Sequence, residues 1–164
     1  MFNFFKKHKD LPAWDAKTFL SPADGEVIPI EKVNDPVFSQ KAMGDGFGLN
    51  PTSNDIYSPV SGTVTMVAGT KHGIGISTGD SEELLVHMGI DTVELKGKPF
   101  NILVSQGDNI SAGQKIAEMN LDEVKASGKE TTIIVAVTNS AENDWQVSLE
   151  KEGKVNHSEL VAKL

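Results

Sequence analysis

Short extended runs punctuated by Gly and Pro, a duplicated Ser-Pro-x-x-Gly-x-Val motif and a scarcity of helix signals predict an all-β domain. The expected architecture is an antiparallel β-sandwich or partly open barrel with duplicated hairpin motifs and one or two short helices. The first motif, Ser21-Pro22-Ala23-Asp24-Gly25-Glu26-Val27, lies within Phe19 to Ile30. The second, Ser58-Pro59-Val60-Ser61-Gly62-Thr63-Val64, lies within Ile56 to Val67. Each sets a turn between two extended arms, and a single recurrence makes a local duplication, not a solenoid.

The remaining elements follow in order. Asn34-Asp35-Pro36 offers a cap and a Pro near the first turn; Val37 to Met43 continue it and Gly44 ends it, so one short helix is expected. A looser relative of the duplicated motif spans Val104 to Ala117, with turns at Gln106-Gly107-Asp108 and Ala112-Gly113. Leu121 to Gly128 is a second helix candidate of about two turns. Thr131 to Thr138 reads as a buried strand because it is rich in β-branched residues. Short strands around the turn Glu152-Gly153-Lys154 complete the chain.

The 164 residues suffice for one domain with a real core and are too few for two comfortable ones. Residues 1–18 read as a flexible tail and linker, and residues 19–164 as the folded domain. Phe2, Phe4 and Phe5 stand among Lys6, Lys7 and Lys9. Two readings of residues 1–10 stand side by side: an amphipathic segment making weak contact with anionic lipid, or a solvated tail. No apolar run approaches the ~18 residues of a membrane span, and no secretory signal is visible. The absence of cysteine excludes disulfides, thiolate metal sites and cysteine nucleophiles, and fits a cytoplasmic protein. A net charge of −8 argues against nucleic-acid binding and suits a partner that presents Lys or Arg.

The chemistry concentrates in two segments. Leu84 to Gly97 is an apolar strand that carries His87 and breaks at Gly89; Thr70 to Ser81 is a strand carrying His72 and ending in a turn signal. If Gly79-Asp80 forms a two-residue hairpin loop, Thr78 faces Ser81 and counting places His72 opposite His87, with Thr70 on the same face. The expectation is two convergent imidazoles, a hydroxyl and an apolar surround of Ile74, Leu85, Met88, Val37, Phe38 and Met43. A one-residue slip in this register is expected to separate the histidines.

Val86-His87-Met88-Gly89-Ile90-Asp91-Thr92-Val93-Glu94-Leu95-Lys96-Gly97 resembles the active-site signature of the glucose-type enzyme IIA of the bacterial phosphoenolpyruvate-dependent sugar phosphotransferase system. The resemblance runs from about Phe19 to Leu164, through both Ser-Pro motifs, Val37-Phe38, Met43-Gly44-Asp45-Gly46 and Thr70-Lys71-His72. It implies a cytoplasmic phosphotransferase component in which His87 accepts a phosphoryl group from the histidine phosphocarrier protein. The group then passes to the IIB cysteine of a sugar permease. His72 would stabilise the phosphate and Thr70 would orient His72. The partner-binding surface implied is Asp35, Val37, Phe38, Met43, Leu85, Met88, Asp91 and Val93, and further regulatory targets are implied as well. Ala68, Leu85 and Met88 stand at rim positions where relatives often carry phenylalanine.

Asp35 and Asp91 allow two readings: pairing with a partner's arginine or repelling the phosphate, and simple solvated turn carboxylates. The rival class is a zinc-dependent hydrolase of related duplicated β architecture using His72 and His87. Such an enzyme needs a third ligand and a general base, and the sequence has no HExxH or His-x-His. No intrinsic metal site is expected; the resemblance implies that His72 and His87 share zinc with a partner's carboxylate in some complexes. No cofactor is called for, and no lysine sits at the hairpin tip a biotinyl or lipoyl carrier needs.

Overall fold

The computed structural model describes residues 14–164. The lipid-contact reading of residues 1–10 falls outside the described residues. Residues 14–18, read as linker, lie against the body: Trp14 packs on the core, its Nε1 donates to the Thr18 carbonyl, and the Leu164 N–H donates to the Lys17 carbonyl.

All strand pairs are antiparallel, and three open sheets form among the described residues. The largest has eight strands: β2 (Gly25–Pro29), β3 (Asp45–Pro51), β5 (Gly62–Val67), β6 (Gly73–Ser77), β7 (Glu83–Met88), β9 (Asn109–Ile110), β11 (Ile133–Val137) and β13 (Gly153–Val155). Their spatial order is β13-β2-β3-β11-β7-β6-β5-β9. A second sheet joins β4 (Asp55–Tyr57), β10 (Lys115–Met119) and β8 (Phe100–Ile102); a third joins β1 (Thr18–Leu20), β14 (Leu160–Lys163) and β12 (Ser148–Leu149). Two short helices, α1 (Pro36–Ser39) and α2 (Leu121–Ala126), are capped by Asp35 and Asn120. Among the described residues, no helix is long and apolar enough to cross a membrane.

The duplicated motif organises the fold by exchanging hydrogen bonds with itself. The buried hydroxyls of Ser21 and Ser58 donate to the carbonyls two residues on, of Ala23 (2.7 Å) and Val60 (2.6 Å). The Leu20 N–H donates to Pro59 and the Tyr57 N–H to Pro22, so each copy satisfies the other's proline carbonyl. β2 and β5 start at the motif glycines, and no other residue fits there. A Cβ on Gly25 would collide with the Asn50 carbonyl, and one on Gly62 with that of Ser77.

The main core lies on one face of the large sheet, where Phe47, Leu49, Ile74, Ile76, Val86, Met88 and Val135 are essentially inaccessible to water. A smaller cluster of Ile30, Val33, Phe38, Ile90, Ile134 and Ala136 covers the opposite face, with Leu85 packed against it. β11 lies between β3 and β7 and is buried along its whole length, which explains its unbroken apolar composition.

Candidate functional site

The site forms where β7 turns its polar-bearing face away from the main core. Strand alternation sends Leu84, Val86 and Met88 into that core and Leu85 and His87 to the side of the smaller cluster. His87 stands directly opposite Ile134 of β11 and Gly73 of β6. The Phe38 ring closes a further side at 4.8 Å between centroids, tilted by 57°. Gly73 presents no side chain across from His87, a contribution that only the correct strand register could have revealed.

That register differs from the expected one. Ser77 pairs with Glu83, and the Thr78 N–H donates to the Glu82 carbonyl, which leaves a three-residue loop of Gly79, Asp80 and Ser81. Ser81 takes the left-handed conformation (φ 76°) usual at the end of such a loop, and the Thr78 hydroxyl accepts from the Asp80 and Glu82 N–H groups. All cross-strand pairs therefore move by one, and Gly73, not His72, faces His87. The histidines still meet, edge to face at 77° with centroids 5.1 Å apart. His72 lies in the bend before β6, outside regular strand alternation, where Lys71 is left-handed (φ 62°). The bend is closed by Ala68 N–H to the Gly73 carbonyl and Lys71 N–H to the Ala68 carbonyl. The Met88 N–H donates to the His72 carbonyl and fixes the bend beside His87.

Burial favours the neutral form of both rings. Burial pushes the His87 imidazole down to about 4, and His72 pushes the same way; the Gly89 backbone, Asp35 and Asp91 oppose it more weakly. Burial also lowers His72. His87 Nδ1 is buried and has no partner of normal hydrogen-bond geometry, although the Gly89 backbone lies close enough to favour a proton on the ring. His72 Nδ1 lies 2.6 Å from Thr70 Oγ1. Because a neutral imidazole has one donor and one acceptor nitrogen, a hydroxyl donating to Nδ1 leaves Nε2–H as the donor.

Below His87 the chain reverses sharply. Gly89 is left-handed (φ 81°), and a Cβ there would strike the Thr92 side chain, whose hydroxyl donates to the Met88 carbonyl. Gly89 and Ile90 donate to the carbonyls of Thr132 and Glu130.

The expected rim is partly redistributed. Val37 (49% exposed), Val93 (48%) and Met43 (38%) are open to solvent, Asp91 is exposed, and Leu85 is half-buried. Met88 and Ile74 do not belong to the rim: both are fully buried in the main core, since the alternation of β7 and β6 points them through the sheet. Phe38 is 5% exposed and backs His87 from the small cluster. Asp35 is half-buried, and its Oδ1 accepts the Val37 N–H at 2.9 Å, so it caps α1. Met66 was not foreseen. It is 42% exposed and pairs with Gly75, which pairs with Leu85, so it extends the apolar strip on the His87 side. A bulge between Val64 and Met66 reverses the parity that the sequence suggests. Among the described residues, no group of three or more His, Asp or Glu side chains is placed to hold a metal ion.

Comparison with known proteins accords with this fold. Residues 17–143 match the family described as phosphoenolpyruvate-dependent sugar phosphotransferase system, EIIA 1, and the chain belongs to that family. Over 144 residues it is 46% identical to a Streptococcus pneumoniae protein named PTS system glucose-specific EIICBA component. That match covers 88% of this chain and 20% of the relative, so the chain spans a fifth of that protein's length. It is 43% identical over 120 residues to a PTS system glucose-specific EIIA component of Staphylococcus aureus, covering 73% of this chain and 72% of the relative. The solved glucose permease IIA from Mycoplasma capricolum superposes with a TM-score of 0.78 at 35% identity, over 92% of this chain and 98% of that one.

Proposed function

We propose that this protein is a cytoplasmic phosphoryl carrier that accepts phosphate on His87 Nε2 from the histidine phosphocarrier protein. It then delivers the group to the IIB cysteine of a glucose-type sugar permease. The observation that carries the reading is the pair of imidazoles set edge to face 5.1 Å apart, with His87 Nδ1 buried and the other nitrogen left for a partner. In the first transfer the Nε2 lone pair attacks phosphorus, the P–N bond to the donor's histidine breaks, and the donor's nitrogen leaves with its electron pair. The ring proton stays on Nδ1, the buried nitrogen. Delivery repeats the exchange, with the cysteine thiolate forming the P–S bond as the His87 P–N bond breaks.

Such transfer depends mostly on alignment and on charge stabilisation at the moving oxygens. With the Thr70 hydroxyl donating to Nδ1, the Nε2–H of His72, on a ring edge-on to His87, is the donor suited to those oxygens. Val37, Met43, Met66 and Val93 are exposed apolar side chains available to a partner protein. The names of the relatives support the glucose-type destination, and the EIICBA name fits a path from an A to a B component.

The test is incubation with phosphoenolpyruvate, the general phosphotransferase enzyme and the histidine phosphocarrier, followed by mass spectrometry. One phosphate is expected, on His87, as an acid-labile and base-stable phosphoramidate bonded through Nε2. A folded His87→Gln protein that accepts phosphate at the wild-type rate would refute the assignment.

A further inference from the structure

We propose that Asp35 is a positioning residue for this transfer: its carboxylate caps α1, and α1 holds the Phe38 ring against the His87 imidazole. The proposal rests on His87 being the acceptor. A helix of four residues cannot maintain itself, because nucleation costs more than so few hydrogen bonds return. α1 therefore depends on its ends and its single buried side chain, Phe38. At the start, Asp35 has extended cap geometry (φ −151°, ψ 116°), its Oδ1 accepts the Val37 N–H, and its carbonyl accepts the Ser39 N–H at 2.8 Å. Pro36 at the first helical position adds a preset φ.

The cap is tied to the acceptor loop by a second path. Asn34 Nδ2 donates to Glu130 Oε2 at 2.6 Å, and the Glu130 carbonyl takes the Ile90 N–H at 3.0 Å, three residues beyond His87. Cap, aromatic wall and acceptor thus share one anchor. What the wall provides is orientation. With Phe38 on one side and Ile134 and Gly73 on the strands beside it, the ring is held with Nδ1 inward. Near-attack geometry tolerates little rotation from there.

Charge and capping make different predictions, because serine caps as well as aspartate but carries no charge. The experiment measures transfer from the phosphorylated donor protein to wild type, Asp35→Ser, Asp35→Ala and Phe38→Leu, with the His87 ring titration followed by NMR. Asp35→Ser should keep kcat within about twofold, whereas Asp35→Ala and Phe38→Leu should lose about fivefold to tenfold in kcat at little-changed KM. The titrations should also separate. His72, Asp35 and Asp91 are the charged or titratable groups acting on His87. Removing the Asp35 charge alone lowers the His87 titration further; removing the cap as well opens the ring to water and raises it. Equal kcat losses in Asp35→Ser and Asp35→Ala, or effects on KM alone, would overturn the proposal and make Asp35 a charge contact for the donor. Failure of wild-type His87 to take phosphate is a separate result, read by mass spectrometry, and strikes the acceptor assignment instead.

Discussion

Replacing His87 with glutamine should make the folded protein more resistant to acid. The ring's ordinary value of 6.5 falls to about 4 in the fold, chiefly through burial. Between those two values the unfolded chain binds a proton that the folded protein refuses, so stability falls as pH falls. The loss is absent above about 6.5, grows through the window, and is complete near 4. At about 1.36 kcal/mol per pH unit it reaches ~3 kcal/mol, a large share of a typical domain's stability. Burial of His72 pushes in the same direction, but that residue stays in both proteins, so their difference isolates His87. Urea unfolding at pH 7, 6, 5 and 4 measures it. The His87→Gln protein should gain on wild type by about a kilocalorie per mole with each pH unit below 6.5. Parallel stability curves down to pH 4 would show that the ring is not shielded, and the account of its neutrality would fail.

Two further outcomes follow from the same geometry. His72→Gln should still acquire phosphate on His87, with transfer slowed on the order of 10²–10³-fold, as when one charge-stabilising donor is removed; stopped-flow or quench-flow labelling decides it, and phosphate found on wild-type His72 would reverse the roles. Met88→Ala should cost about 2–5 kcal/mol in urea unfolding while Leu85→Ala costs markedly less, because Met88 fills the main core and Leu85 is half-exposed beside the site; equal costs would contradict the assignment of faces along β7.

Much of the fold was legible because its signals are local. Asp35-Pro36 marked the start of α1, although the helix stops at Ser39 and gives way to turns well before Gly44; Gly128 marked the end of the stretch containing α2, and β-branched residues marked β11. The Ser-Pro-x-x-Gly-x-Val repeat announced a duplication, but not that each copy would donate to the other's proline carbonyl across the fold. What a sequence reading could not fix was parity. Gly-Asp looks like a two-residue hairpin loop, yet the Thr78 hydroxyl captures two N–H groups and extends the loop to three residues. A change of one residue moves every cross-strand partner of His87. The bulge after Val64 does the same for Met66. Met88 was misplaced for a different reason: the resemblance named it as a rim position, while alternation from His87 already pointed it inward.

The slip that should have separated the histidines did not, and the reason bears on how the site is built. In a regular hairpin the imidazole pair would depend on register, so any change in the Thr78–Glu82 loop would carry through the strands to the chemistry. Here His72 is placed by the bend between β5 and β6, closed by its own hydrogen bonds and joined to β7 through Met88 N–H. Thr70, in the same bend, is hydrogen-bonded to the ring. The far loop can therefore vary as long as β7 keeps Met88 in the core. One strand then serves both purposes: Leu84, Val86 and Met88 fix it against the main core, and that anchoring holds His87 steady on the opposite face. A substitution at Met88 that costs stability should thus disturb transfer too, whereas one at Thr70 should disturb transfer alone.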